Sequence, residues 1–314
     1  MPRPASHDWF NREQARTGTV IAALARAGVS LYIPHMSLIQ RLPFVKKSPF
    51  VAVIRLHGAI GVSRPGAPGL SDAAMAPIIE RAFARGKPAA VALLINSPGG
   101  SPVQSALIAG RIRRLADEKG IPVHAFVEDV AASGGYWLAC AADQIWADPT
   151  SVVGSIGVIS AGFGLDEFIN RHGIQRRVHT AGGSKSFMDP FRPEKDEDVA
   201  RLNKLLDDMH VSFKEHVQSR RGAKLPEDRD LFTGDIWTGR QALAENTGLI
   251  DGLGHAVPKL KEIYGEKTRI VPYAPKRSIF RRFGAQIGGE MAAATAGALI
   301  DTAEERALWA RYGL

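Results

Sequence analysis

VALLINSPGGSP, residues 91–102, is the stretch on which the fold turns. Its first six residues form a nearly continuous apolar run, the way a strand reads when both faces of its sheet are covered. The chain then turns on Pro98, Gly99 and Gly100, and a helical pattern begins near Val103. A second run of the same kind, VAVIRL at 51–56, lies upstream. Working outward, strands are expected at Phe50–Leu56, Ala90–Ile95, Val123–Val127, Gln144–Ala147, Val152–Ile159 and Gln175–His179. Helices at Asp72–Arg85, Val103–Glu118 and Gly135–Ala142 fall between them. Alternation of this sort predicts an α/β fold. The clearest helix comes next, over 196–220, where Val199, Leu202, Leu206, Met209, Phe213 and Val217 recur at spacings of three and four. A stripe like that belongs to a core or a subunit contact. TGRQALAENTGLIDGLG (238–254) then reads as a turn, a short helix and a Gly-rich exit, followed by a helix through Val257–Ile263 and a strand near Thr268–Val271.

Composition sets the outer bounds. With 314 residues, 45% hydrophobic and 23% charged, the chain can bury a substantial core, which excludes disordered and collagen-like classes. Cys140 is the single cysteine, so no intramolecular disulfide forms, and no CxxC or HExxH spacing supplies zinc ligands. Neither a metal nor a cofactor is expected. The net charge of +8 is carried at the ends: residues 1–47 hold seven Lys/Arg against two Asp/Glu, and Lys276–Arg282 adds four bases. That distribution fits solvated extremities touching an anionic membrane peripherally, and not a nucleic-acid groove. Residues 17–33 (TGTVIAALARAGVSLYI) are apolar but short, stop at Pro34 and carry Arg26 centrally, so a surface helix is expected in place of a membrane span. The chain thus divides into a basic N-terminal extension (1–47), a core (48–274) and a basic, then Ala/Gly-rich tail (275–314).

Candidate chemistry sits in EDVAASGGYWLACAAD, residues 128–143. Small residues lead into Ser133-Gly134-Gly135 and then an apolar helix. A serine there meets the unpaired amides and positive dipole end of a helix, which stabilise a developing oxyanion. An ordinary Ser N-cap would use the same amides without chemistry. The Gly99-Gly100 turn offers further amides, whereas a phosphate loop lacks its GxGxxG or GxxxxGK[ST] pattern. An attacking serine also needs a base, and none of the nine histidines lies in a recognisable motif; His172 and His179 merely flank an expected strand. Lys185, in HTAGGSKSFMDPF, is set among small and apolar neighbours. Burial would move such an amine from ~10.4 toward the ~7–8 suited to general-base work, although taken singly these residues read more readily as a surface-loop lysine. Ser155, in TSVVGSIGVIS, is either a hydroxyl that orients an amine or a turn hydroxyl.

Taken together, INSPGG, ASGGYWLA, GSIGV, the GSKSFMDPF segment and the TGRQAL…GLID ending resemble the signal peptide peptidase A family of bacterial serine peptidases, over about Val51 to Gly254. The resemblance implies a Clp protease/crotonase-like fold of repeated strand-strand-helix units, here with N- and C-terminal helical extensions. It implies Ser133 as nucleophile, Lys185 as general base 52 residues later, Ser155 as the hydroxyl positioning the lysine, and Gly99, Gly100 and Gly134 at the oxyanion site. Related Clp proteases place a histidine about 25 residues after the serine; Val158 stands there. Two departures are read: no N-terminal membrane anchor, which points to a cytoplasmic or inner-face peripheral location, and one copy of the core where long members have two. Short members build ring-like homo-oligomers whose dyads are shared between subunits. The expected function is hydrolysis of small or apolar peptides, signal-peptide remnants among them. The alternatives are a crotonase-like acyl-CoA-processing enzyme and a catalytically silent membrane-associated scaffold.

Overall fold

Covered on both sides, as their apolar runs require, β1 (Phe50–His57), β2 (Ala90–Ser97) and β3 (Val123–Ala132) form the centre of one sheet. The computed structural model describes residues 48–62, 69–183, 185–274 and 306–313. The basic extension 1–47, with the 17–33 helix expected in it, and tail residues 275–305 lie outside these. Helix α1 (Asp72–Ala84) follows β1, α2 (Pro102–Lys119) follows β2 and α3 (Gly134–Ala139) follows β3. Next come β4 (Gln144–Ala147), β5 (Val152–Gly154), α4 (Asp166–Arg171), the long α5 (Asp196–Arg221), β6 (Ile236–Thr238), α6 (Gly239–Ala244), β7 (Gly252–Leu253), α7 (Ala256–Tyr264) and β8 (Arg269–Tyr273). The sheet order is β6-β5-β3-β2-β1-β8, with β4 joining β3 to β7. Every pairing is parallel except β5 with β6.

Local chemistry accounts for the helix ends. Ser71 and Ser101 cap α1 and α2 by accepting from the Ala74 and Gln104 amides, and Pro102 occupies the first turn, where no amide hydrogen is needed. Gly120 ends α2 in the left-handed conformation, φ 60°. Ile54, Leu56, Leu93, Ile95, Ile108 and Ile112 are fully or almost fully buried in the main core, each stabilising the fold by roughly 1.5–3 kcal/mol. Val51, Val53, Ala92 and Phe126 form a smaller cluster with Leu260 of α7.

Three expectations are corrected. The Val152–Ile159 strand stops at Gly154, because Ser155 adopts φ 51° and leaves the extended region. Residues 175–179 form no strand and are mostly exposed, since Gln175, Arg176 and Arg177 give no apolar face to lay on a sheet. Helix α3 ends at Ala139, three residues early, in turns closed by the Ala141 and Ala142 amides. Helix α5 divides along its stripe: Phe213 and Val217 are buried, Val199, Leu202 and Leu206 are half-buried, and Met209 is exposed.

Candidate active site

Parallel strands end together, and this brings the small-residue motifs to one place. Ala132 at the end of β3 pairs with Gly154 at the end of β5, so Ser133 and Ser155 follow on adjacent strands, and the Ser133 amide donates to Gly154 O at 2.9 Å. On the other side Ser97 of β2 pairs with Ala131, which sets the Gly99-Gly100 turn beside the same serine. A Cβ added to Gly99 would lie 2.8 Å from Ser133 Cβ, and one added to Gly134 would lie 3.4 Å from Gly100 N. Glycine is required where the two turns touch.

Ser133 holds φ 52° and ψ −123°, a conformation that costs a residue with a side chain of order 1–3 kcal/mol. It stands on a sharp strand-to-helix elbow, half-buried, and its hydroxyl caps none of the helix amides. The ordinary N-cap is thereby set aside. Neither Gly134 nor Gly100 donates its amide to a backbone carbonyl among the described residues. The Gly99 amide turns away to Ser97 Oγ at 3.3 Å, so of the two turn glycines it is Gly100 whose amide is open to a ligand oxygen. Ser155, 8% exposed, is fixed by its amide donating to Asp235 O at 2.6 Å.

Beside Ser133 lies a cavity of about 180 Å³ walled by Trp137, Val158, Ile159, Met209 and Phe213. Trp137 stacks on Phe213 and on His216, with centroids 4.9 and 4.7 Å apart. Burial lowers the His216 pKa, and its Nε2 donates to Trp137 O; His210 Nε2 donates to Ile156 O. Both rings brace walls. Burial also pushes the Cys140 thiol up to about 12, leaving it inert as a nucleophile. Among the described residues no cluster of three or more His, Cys, Asp or Glu is arranged to hold a metal. Sequence reading missed Met209 and Phe213 as cavity walls, although their spacing of four on the α5 stripe was the available signal.

Lys185 is placed differently from the glycines and serines. It is exposed, on an arm running from about Ile159 to the start of α5, and no hydrogen bond joins it to Ser133 or Ser155 among the described residues. Asp189 shapes its loop, accepting from the Phe191 amide at 3.1 Å and from Arg176 Nε at 3.3 Å. The burial expected around this amine is absent within the single chain, because the arm buries little beyond Ile169.

Residues 116–263, which include both serines and the lysine, match the model of peptidase family S49. This stretch belongs to peptidase family S49. The wider chain is 48% identical over 273 residues, 84% of its length, to the Na(+)/H(+) antiporter NhaA of Brucella melitensis. It is 33% identical over 197 residues, 62% of its length, to "Probable protease SohB" of Haemophilus influenzae, and 31% identical over 211 residues, 65% of its length, to the chloroplastic serine protease SPPA of Arabidopsis thaliana. These matches span 37%, 54% and 30% of the respective relatives. The S49 stretch covers the chain from the end of α2 through most of α7, within the α/β fold described above. No helix among the described residues is long and apolar enough to cross a membrane.

Proposed function

We propose that the chain is a serine endopeptidase acting on small or apolar peptides through Ser133, with signal-peptide remnants as one substrate class. The observation that carries this reading is the strained elbow at Ser133, whose uncapped hydroxyl stands beside the open amides of Gly134 and Gly100. Ser133 Oγ attacks the peptide carbonyl as Lys185 Nζ takes its proton, and the two amides hold the resulting oxyanion. Collapse expels the amine, which receives the proton back from Lys185, and leaves an acyl-enzyme. Water, deprotonated by the same lysine, attacks the ester and frees Ser133.

Ser155 orients the lysine, and Gly99 contributes by close packing on Ser133. Because Lys185 is exposed on an arm carrying exposed Phe163, Phe168 and Ile174, the amine reaches its serine, and its dry surroundings, in a homo-oligomer where neighbouring subunits share sites. The cavity's apolar walls suit small or apolar side chains. Val158 and Ile159, whose amides donate to no backbone carbonyl among the described residues, offer an edge to an extended peptide. A cytoplasmic chain that touches the inner membrane face through its basic ends completes the reading.

Labelling with a fluorophosphonate tests it. The expected result is a single adduct on Ser133, absent in Ser133→Ala, together with hydrolysis of apolar peptides. Retention on immobilised CoA with no adduct overturns it in favour of acyl-CoA chemistry.

A further inference from the structure

The cavity beside Ser133 has two more walls, and both come from the far end of the chain: Leu308 and Arg311. Residues 306–310 form a helical turn on which Leu308 and Trp309 are half-buried, as is Tyr312 just beyond, while Arg306, Ala307 and Ala310 are exposed. The segment therefore presents one face to the body. Trp309 lies against the His57 ring at the end of β1, with centroids 6.0 Å apart. The Tyr312 hydroxyl lies 3.4 Å from Ser155 Oγ and 3.5 Å from Pro98 O, within hydrogen-bond reach of either for its single proton. It thus bridges the two loops that flank Ser133.

We infer that residues 306–313 are a built-in plug of the active-site cleft, with Tyr312 standing on Ser155 where the lysine amine has to bind. This rests on the peptidase reading for the roles of Ser155 and Lys185, and on the contacts alone for occupancy of the cleft. Ser155 is 8% exposed, which leaves little room for a second partner while Tyr312 is in place. Leu308 fills apolar space that a substrate side chain would use. One segment thereby obstructs both substrate entry and completion of the dyad, and it must leave before turnover. A plug seated nine-tenths of the time lowers apparent substrate affinity about tenfold, since only the open fraction binds.

The experiment uses the full chain. Ser133→Ala, with and without the added changes Leu308→Asp and Tyr312→Asp, is titrated against a fluorescently labelled apolar heptapeptide, and hydrogen exchange is followed at 155–159 and 306–313. The expected result is about tenfold tighter peptide binding in the Asp-substituted chain, with protection lost in both segments. Unchanged protection overturns occupancy of the cleft, and lost protection without a gain in affinity overturns obstruction. Fluorophosphonate labelling of the same chains with Ser133 restored is read separately: absence of an adduct in every form rejects the peptidase reading, while the binding and exchange results still decide the plug.

Discussion

Gly99 shows how narrowly a single residue constrains the site. A methyl group there meets Ser133 Cβ at 2.8 Å, on a backbone with φ 107°. Gly99→Ala should lower kcat/KM about 100-fold by displacing Ser133, the proposed nucleophile, from its productive geometry. Gly120→Ala is the control, because its φ of 60° is also left-handed, where a side chain is disfavoured, with nothing nearby for the Cβ to meet. Measured side by side, both variants should lose thermal stability and only Gly99→Ala should lose activity; equal activities would separate Gly99 from Ser133. Lys185→Arg should cost ~10²–10⁴-fold in kcat, because guanidinium does not deprotonate near neutral pH, and melting of the dissociated chain should be unchanged since the side chain is exposed there. An Arg variant with wild-type kinetics would remove the lysine as base.

Between elements, a buried charge cluster ties α5 to the site. Arg221, 1% exposed at the end of α5, donates to Asp251 at 2.8 Å and to Gly248 O at 2.9 and 2.6 Å, while Tyr136 of α3 donates to Leu249 O at 2.8 Å. The GLID residues thus hold the helix that follows Ser133 and the one that walls its cavity. Burial pulls the Asp251 carboxyl upward, but Arg221, Lys224 and the Ile145 amide outweigh it, and the net shift is downward. A carboxylate whose folded pKa is depressed stabilises above its unfolded value of ~3.9, and that contribution is lost as pH falls through the folded value. Asp251→Asn should therefore cost about 3 kcal/mol at pH 7, by leaving Arg221 buried with less compensation. The gap to wild type should narrow below about pH 4 in denaturation curves collected across pH. A gap that holds constant to acid would show that the carboxylate's charge is not what stabilises the cluster.

At the scale of the molecule, Lys185 stands exposed on its arm, and among the described residues no lysine is hydrogen-bonded to Ser133, the proposed nucleophile. Co-assembling Ser133→Ala with Lys185→Ala chains tests the shared site. Random pairing at equal ratio puts an intact serine beside an intact lysine at about one quarter of the interfaces, so ~25% of wild-type activity should return. Mixtures that stay inactive after confirmed subunit exchange would place each dyad within one chain.

The sequence by itself determined the α/β class and the serine-glycine turns, because both follow from short-range chemistry: continuous apolar runs for doubly covered strands, and glycines where backbones touch. GLID was legible only as a motif; that Arg221 and Tyr136 both hydrogen-bond to it was not. Tertiary structure decided what depends on register and on distant partners. Whether Ser133 was a cap or a strained elbow turned on the pairing of Ala132 with Gly154. Both serines follow that pair with positive φ, 52° and 51°, and nothing local to SGG specifies the partner strand. The end of β5 at Gly154, the walls supplied by Met209 and Phe213, and the seating of Tyr312 on Ser155 were likewise settled by segments 50 or more residues apart, whose meeting is governed by packing and not by the pattern of either one.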